Sequence, residues 1–308
     1  MTIDRSLPYF ESRTLSKLKG VTLRVRGVVE GAVTGSHRSP FQGFAAEFAE
    51  HREYAPGDDL RYVDWKIYGR TDRVFVKQFE EETNFVCQVL LDVSESMQYR
   101  SEAVELSKLE YAKHVAAAIS YVVIKQQDAV GLVTFDREIV HSVRAGRQPA
   151  HWKQISHALE EGDRGAADAG NVEGQSTTSA LSEIADRLPK RGVVIVISDL
   201  FTNANSLIVE LKRLKHRQQD VRVWQINDPA EEDFPFEDPT LFHGLEGWAD
   251  VSIEPRQIRS AYQREFFSHR ETLRRQCRSL KIDFAAIRTD MPVDVAVKRS
   301  LMPPARNS

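Results

Sequence analysis

The chain has 308 residues, of which 41% are hydrophobic and 28% charged, a balance typical of a globular protein with a sizeable core. Its 42 Lys and Arg residues against 45 Asp and Glu leave a net charge of −3, which argues against a polycation that coats nucleic acid. Cys87 and Cys277 cannot form a disulfide framework or a CxxC zinc site. The longest apolar run, residues 115–124, is too short to span a bilayer, and the N-terminus lacks a signal-peptide layout. We therefore expect a cytoplasmic protein with reduced thiols and no membrane span.

The first part of the chain, residues 1–82, is rich in glycine, arginine and aromatic residues. Turn signals at residues 34–36 and 56–59 are flanked by short β-like runs over 21–29 and 74–79, so we predict a β-rich arm. Basic residues between positions 13 and 38 outnumber acids, which we interpret as a solvated face. Nucleic-acid binding is disfavoured, because aromatic residues are not interleaved with these basic ones.

From residue 83 to 308 the pattern changes to apolar strands that alternate with amphipathic helices. Strands are predicted over 85–91, 129–135, 139–143, 193–197, 221–226 and 282–287, and helices over 103–127, 149–159, 181–188, 206–216 and 255–280. The acid-rich stretch 228–238 is predicted to be a solvated loop and not a second cation site, because its proline residues break any regular ligand spacing. Strands and helices in this order favour a doubly wound α/β domain, with a mainly parallel sheet covered on both faces.

The most informative motif is Asp92-Val93-Ser94-Glu95-Ser96, at the end of the first buried strand. A carboxylate followed by hydroxyls two and four residues later can direct three oxygens into one concavity at the carboxyl end of the sheet. Such hard oxygen ligands suit Mg²⁺ or Mn²⁺. Further ligands are available from Ser176, Thr177 or Thr178, and from Asp199 at the end of a later strand.

The order of strand with DxSxS, loop with threonine, and strand with Asp resembles the metal-ion-dependent adhesion site of von Willebrand factor A domains. The resemblance implies a metal held by Asp92, Ser94, Ser96, Thr177 and Asp199. The loop is shorter here than in the family pattern, so the ligand can be Ser176, Thr177 or Thr178. We take Thr177, the middle one of the three. A network of hydroxyls and carboxylates that caps the turn without metal is the alternative.

A second resemblance covers nearly the whole chain. Residues 52–65, REYAPGDDLRYVDW, and Gly69-Arg70-Thr71 are similar to the signature of the bacterial family called domain of unknown function 58. Later matches include SESM at 94–97, ISDL at 197–200 and NDP at 227–229. The family joins this motif to a von Willebrand A-like domain, and its genes often neighbour MoxR-type AAA+ ATPases. The resemblance implies a non-enzymatic, metal-dependent protein-binding module that acts as an adaptor or assembly factor for such an ATPase.

Two alternatives bear on function. A metal-dependent phosphohydrolase using Asp92 would need an acid–base carboxylate two residues later, where Ser94 stands. P-loop, GxSxG and HExxH motifs are missing from the sequence, so we expect no enzyme activity. For residues 52–71 a structural role is favoured over a partner surface. In that role an ion network would pair arginines with aspartates: Arg52, Arg61 and Arg70 with Asp58, Asp59 and Asp64.

Overall fold

The computed structural model describes residues 46–55, 63–81, 86–161, 177–189, 191–245 and 249–301. It divides into two compact units, one within residues 25–84 and the other containing residues 85–308. The predicted strand over 21–29 and the turn at 56–59, with Arg61, lie outside the described residues.

The smaller unit contains an antiparallel pair of strands, β1 (Ala46–Glu53) and β2 (Phe75–Glu81). β2 confirms the strand predicted from residue 74 onward. Helix α1 (Trp65–Thr71) lies between them and was not predicted from the sequence. It begins at Asp64, whose Oδ1 accepts hydrogen bonds from the amides of Lys66 (3.0 Å) and Ile67 (3.3 Å). This is the N-cap role for which aspartate is well suited.

We expect Asp64→Ala to destabilise the smaller unit by about 1–2 kcal/mol, because the cap is lost. The variant also removes the 3.0 Å contact between Asp64 Oδ2 and His51 Nε2. Faster amide hydrogen exchange in α1 would reveal the loss. Asp72→Asn is the matched control, since Asp72 follows the helix in a left-handed conformation that asparagine tolerates. Equal exchange rates in the Asp64 and Asp72 variants would contradict the capping role.

In its described residues the larger unit is built on a six-stranded sheet, whose strands from one edge to the other begin at residues 283, 219, 192, 86, 129 and 139. Its strands are β3 (Val86–Asp92), β4 (Ala129–Phe135), β5 (Ile139–Gly146), β6 (Gly192–Ser198), β7 (Gln219–Asn227) and β10 (Asp283–Arg288). All neighbours pair in parallel except β4 and β5, which form the predicted hairpin. All six predicted strands are therefore confirmed.

Helices cover both faces of this sheet, as the doubly wound prediction requires. α2 (Lys108–Lys125), α3 (His151–Glu161) and α8 (Val293–Leu301) pack on one face, and α4 (Thr177–Arg187), α5 (Ala204–His216) and α7 (Pro255–Ser279) on the other. α2 begins later than predicted because Ser107 and Glu110 form a capping box there. Among the described helices, none combines the length and apolarity needed to cross a bilayer.

Residues 228–238 differ from the predicted solvated loop. Asp228 is fully buried and caps a short helix, α6 (Pro229–Asp233). The three acids of α6 each contact a cation of the larger unit: Glu231 with Lys108, Glu232 with Arg270, and Asp233 with Arg288. The prediction of a solvated loop was wrong, because Pro229 lies in the first turn of a helix and the fold supplies a cation for each of the three acids. A small hairpin, β8 (Thr240–Phe242) and β9 (Val251–Ile253), follows.

Candidate functional site

The candidate site lies where the chain reverses direction across the sheet. From β3 the chain moves to β4 on one side, and it later returns to β6 on the other side of β3. Ligands of open α/β sheets bind beyond the carboxyl ends of strands at such a switch point. Asp92 ends β3 and Asp199 directly follows β6, so the topology brings the two predicted carboxylates to this position.

The turn after β3 gathers the oxygens of the DxSxS motif. Asp92 Oδ1 accepts a hydrogen bond of 2.9 Å from the amide of Ser94, and the hydroxyls of Ser94 and Ser96 lie 3.2 Å apart. Ser96 belongs to a 3₁₀ turn, Glu95–Gln98, that continues from the strand end. All three side chains are buried, so their orientation is determined by the packed turn.

The loop after β6 is tied to the same carboxylate. The hydroxyl of Ser198 donates to Asp92 Oδ2 at 2.5 Å and accepts a 2.9 Å hydrogen bond from the amide of Leu200. Asp199 Oδ1 accepts a 3.0 Å hydrogen bond from the amide of Phe201. The two strand ends therefore form one hydrogen-bonded unit, in which Ser198 connects the turn after β3 to the turn after β6.

A buried lysine neutralises part of this charge. Lys108 at the start of α2 is 2% exposed, and its Nζ contacts Asp199 Oδ2 at 2.8 Å and Glu231 Oε1 at 2.6 Å. Burial alone would lower the pKa of Lys108, but the two carboxylates raise it above its ordinary value. Lys108 is therefore a charged ammonium that compensates Asp199 from the side of α2.

Asp92 has a different electrostatic environment. Burial, followed by the nearby charge of Asp199, raises the pKa of Asp92 to about 7. Hydrogen bonds from Ser198 and Ser94 act in the opposite direction without cancelling these effects. Asp92 is thus a carboxylate that would be stabilised in its ionised form by a cation placed beside it.

The third predicted contribution, a loop hydroxyl, comes from the start of α4. Thr178 lines the same small cavity as Asp92, Ser94, Ser96 and Asp199. Thr177 is the first residue of α4, but its side chain and the whole of Ser176 lie outside the described part of the chain. The choice of Thr177 stays a prediction, and Thr178 is the one candidate of the three whose side chain the structure describes.

The donor set is chemically suited to a hard divalent cation. It offers one carboxylate with a raised pKa, several hydroxyls and a second carboxylate, all oxygens, around a small cavity. Within the described residues, no group of three or more His, Cys, Asp or Glu side chains is placed to hold a metal. A metal here would therefore depend on serine and threonine hydroxyls, as the DxSxS pattern implies.

Sequence reasoning missed two residues of this site, Ser198 and Lys108. Ser198 had a local signal, since it lies at a strand end next to a predicted ligand. Lys108 had none, because it is 91 positions away from its partner Asp199 in the chain. Only the packing of α2 against the sheet brings the two together.

Comparisons with known proteins find relatives of this chain. The chain is 25% identical over 284 residues to "Uncharacterized protein Rv1480" of Mycobacterium tuberculosis (strain ATCC 25618 / H37Rv), covering 91% of this chain and 86% of that protein. The same values hold for "Uncharacterized protein Mb1516" of Mycobacterium bovis.

Two solved structures are similar at a lower level. "Conserved hypothetical protein BatB" from Bacteroides thetaiotaomicron has a TM-score of 0.44 at 15% identity and covers 70% of this chain and 97% of its own. The "SpRpn10 VWA domain" has a TM-score of 0.38 at 12% identity, with coverages of 71% and 96%. The strand order and the parallel pairing of the sheet show the doubly wound α/β fold. The family model described as "Protein of unknown function DUF58" matches residues 50–272, and the chain belongs to this family.

Proposed function

We propose that the chain is a non-enzymatic protein-binding module whose site at the ends of β3 and β6 binds Mg²⁺ or Mn²⁺. The observation that carries this proposal is the buried set of oxygen donors around Asp92 at the switch point of the sheet. Asp92, Ser94 and Ser96 would hold the ion from one turn, with Thr177 or Thr178 supplying a hydroxyl. Asp199 would act through a water, because its oxygens already accept from Phe201 and Lys108.

The charge balance indicates what such a site binds. Asp199 and Glu231 both contact the ammonium of Lys108, so Asp92 would be the one carboxylate among the described residues that ligates a divalent ion directly. The ion would keep net positive charge and would attract an external carboxylate from a partner protein. The metal would attract the carboxylate of the partner, and the surrounding residues would hold the metal in place. An Asp or Glu side chain of a partner is therefore the proposed ligand.

The phosphohydrolase alternative finds no support in this geometry. Ser94 occupies the position where an acid–base carboxylate would be needed, and its hydroxyl contacts Ser96. Both oxygens of Asp92 accept a hydrogen bond, from Ser94 and Ser198, and each keeps a second lone pair with which it could bind a metal ion. The metal-bridge mechanism needs neither a free nucleophile nor an acid–base pair.

The proposed partner is a MoxR-type AAA+ ATPase, as the resemblance to domain of unknown function 58 implies, with this chain as adaptor or assembly factor. The cytoplasmic location expected from the sequence stays a prediction.

We expect partner association to depend on Asp92 more than on Ser94. With purified ATPase from the same organism in constant Mg²⁺, Asp92→Ala should abolish co-elution on gel filtration. Ser94→Ala should weaken it less, because water can replace a neutral ligand in part. Asp186→Ala is the matched control, since this aspartate is exposed on α4 outside the cavity. Co-elution of the Asp92→Ala variant at the level of the wild type would refute the metal bridge to this partner.

A further inference from the structure

We infer that the loop after β6 presents Phe201 as an apolar contact for the partner, beside the metal site. The ligand would then be a protein segment in which an Asp or Glu side chain reaches the ion and a nearby large apolar side chain packs on Phe201. This inference rests on the proposed function and adds a second recognition element to it. The acid supplies charge, and the apolar residue supplies specificity and buried area.

Phe201 stands out by its exposure and its position. Its side chain is 73% exposed, the largest value among the exposed large hydrophobic residues of the described chain. It lines the same cavity as Asp92, Ser94 and Ser96. A single exposed apolar residue is common on protein surfaces. Phe201, however, lies at the rim of a polar cavity and adds an apolar surface to a charged site.

The backbone of the loop fixes this exposure. Leu200 has φ = 58°, a left-handed conformation that residues other than glycine and asparagine rarely adopt, while its side chain is 2% exposed. Hydrogen bonds hold the backbone of the loop. The amides of Leu200 and Phe201 donate to Ser198 Oγ and Asp199 Oδ1, and the carbonyl of Leu200 contacts the amide of Thr202 and His269 Nε2. The strained turn buries Leu200 and leaves Phe201 outward. Strain of this kind persists where the surrounding structure enforces it, and it is concentrated at functional sites.

Aromatic residues of this kind frequently dominate protein interfaces, because they bury a large area with few rotatable bonds. A carboxylate bridge alone would recognise any exposed acid. An apolar neighbour on the ligand restricts the choice to acids in a particular context. The proposed ligand is therefore a protein segment with an acidic residue, whose charge complements the bound ion, and an apolar residue, which contacts Phe201.

The test uses a random peptide library displayed on phage and selected on the full chain in Mg²⁺, then on Phe201→Ser. The wild type should enrich peptides that carry Asp or Glu next to a large apolar residue. Peptides selected on Phe201→Ser should still carry an acidic residue but should show no preference for an apolar neighbour. A peptide selected on the wild type should bind Phe201→Ser at least about tenfold more weakly. Val209→Ser is the matched control, because Val209 is 53% exposed on α5 and does not line the cavity.

The outcomes separate this inference from the proposed function. The role of Phe201 would be overturned if the wild type and Phe201→Ser enriched peptides with the same apolar preference. It would also be overturned if neither protein enriched any peptide. Metal binding is measured separately, by calorimetry. Loss of metal binding in Phe201→Ser would also overturn the role of Phe201, because the residue would then act through the site. Self-association of the wild type that Phe201→Ser abolishes would make a second copy the occupant and refute the peptide ligand.

Discussion

Replacing Lys108 by methionine is expected to lower the free energy of unfolding of the larger unit by about 3–5 kcal/mol, the usual effect of removing one partner from a buried ion pair. The side chains of Lys108 and Asp199 are 3% and 4% exposed, so water cannot solvate the carboxylate left behind. Glu231 would lose its cation as well. For a unit of this size the melting temperature should fall by roughly 10 °C. Urea unfolding in EDTA measures the change.

Lys125→Met is the matched control for this variant. Lys125 ends the same helix and is exposed, so its replacement should change the free energy of unfolding by less than about 1 kcal/mol. The Lys108 variant should also bind Mn²⁺ more tightly than the wild type, because a positive charge near the ion is removed. Equal stability of the Lys108 and Lys125 variants would show that the buried ion pairs are not needed for folding.

Replacing Asp92 by asparagine is expected to stabilise the metal-free protein while abolishing its response to metal. The pKa of Asp92 is raised to about 7 in the folded chain, against about 3.9 in an unfolded chain. The folded state therefore binds this proton more tightly. The stability that protonation provides is fully present below about pH 4 and is lost as the pH rises through about 7.

The neutral amide removes this penalty, so the gain of Asp92→Asn should be on the order of 2 kcal/mol at pH 8 and smaller at pH 5. Thermal unfolding in EDTA at the two pH values measures it. Asp294→Asn is the control, because that buried carboxylate lies in the first turn of α8 and contacts Lys298, and it should gain nothing. A gain for Asp92→Asn that is independent of pH would contradict the electrostatic explanation.

The strand-end positions of the site could be predicted because they depend on local and topological rules. Apolar runs mark β3 and β6, and parallel strands have their carboxyl ends at the same edge of the sheet, so Asp92 and Asp199 are expected at the same edge. The contribution of Lys108 could not be predicted, since charge at the first position of an amphipathic helix normally indicates solvent. Its burial follows from the tertiary placement of α6, whose Glu231 completes the ion pair.

The start of helix α6 could have been predicted from the local sequence. Asp228 and Glu231 stand three residues apart with Pro229 between them, and together they form a capping box. The prediction of a solvated loop treated the prolines as breaks in regular structure, whereas Pro229 is suited to the first turn of this helix. Helix α8 was missed because it is only nine residues long and only four residues separate it from the last strand.

Calorimetric titration of the metal-free chain with Mn²⁺ and with Mg²⁺ tests the central proposal most directly. We expect one site per chain in the wild type and at least about 100-fold weaker binding in Asp92→Asn, because the carboxylate proposed to ligate the ion directly is gone. Saturating metal should also raise the melting temperature of the wild type alone. Equal Mn²⁺ affinity in the wild type and Asp92→Asn would contradict the metal site and leave the DxSxS turn as a structural cap.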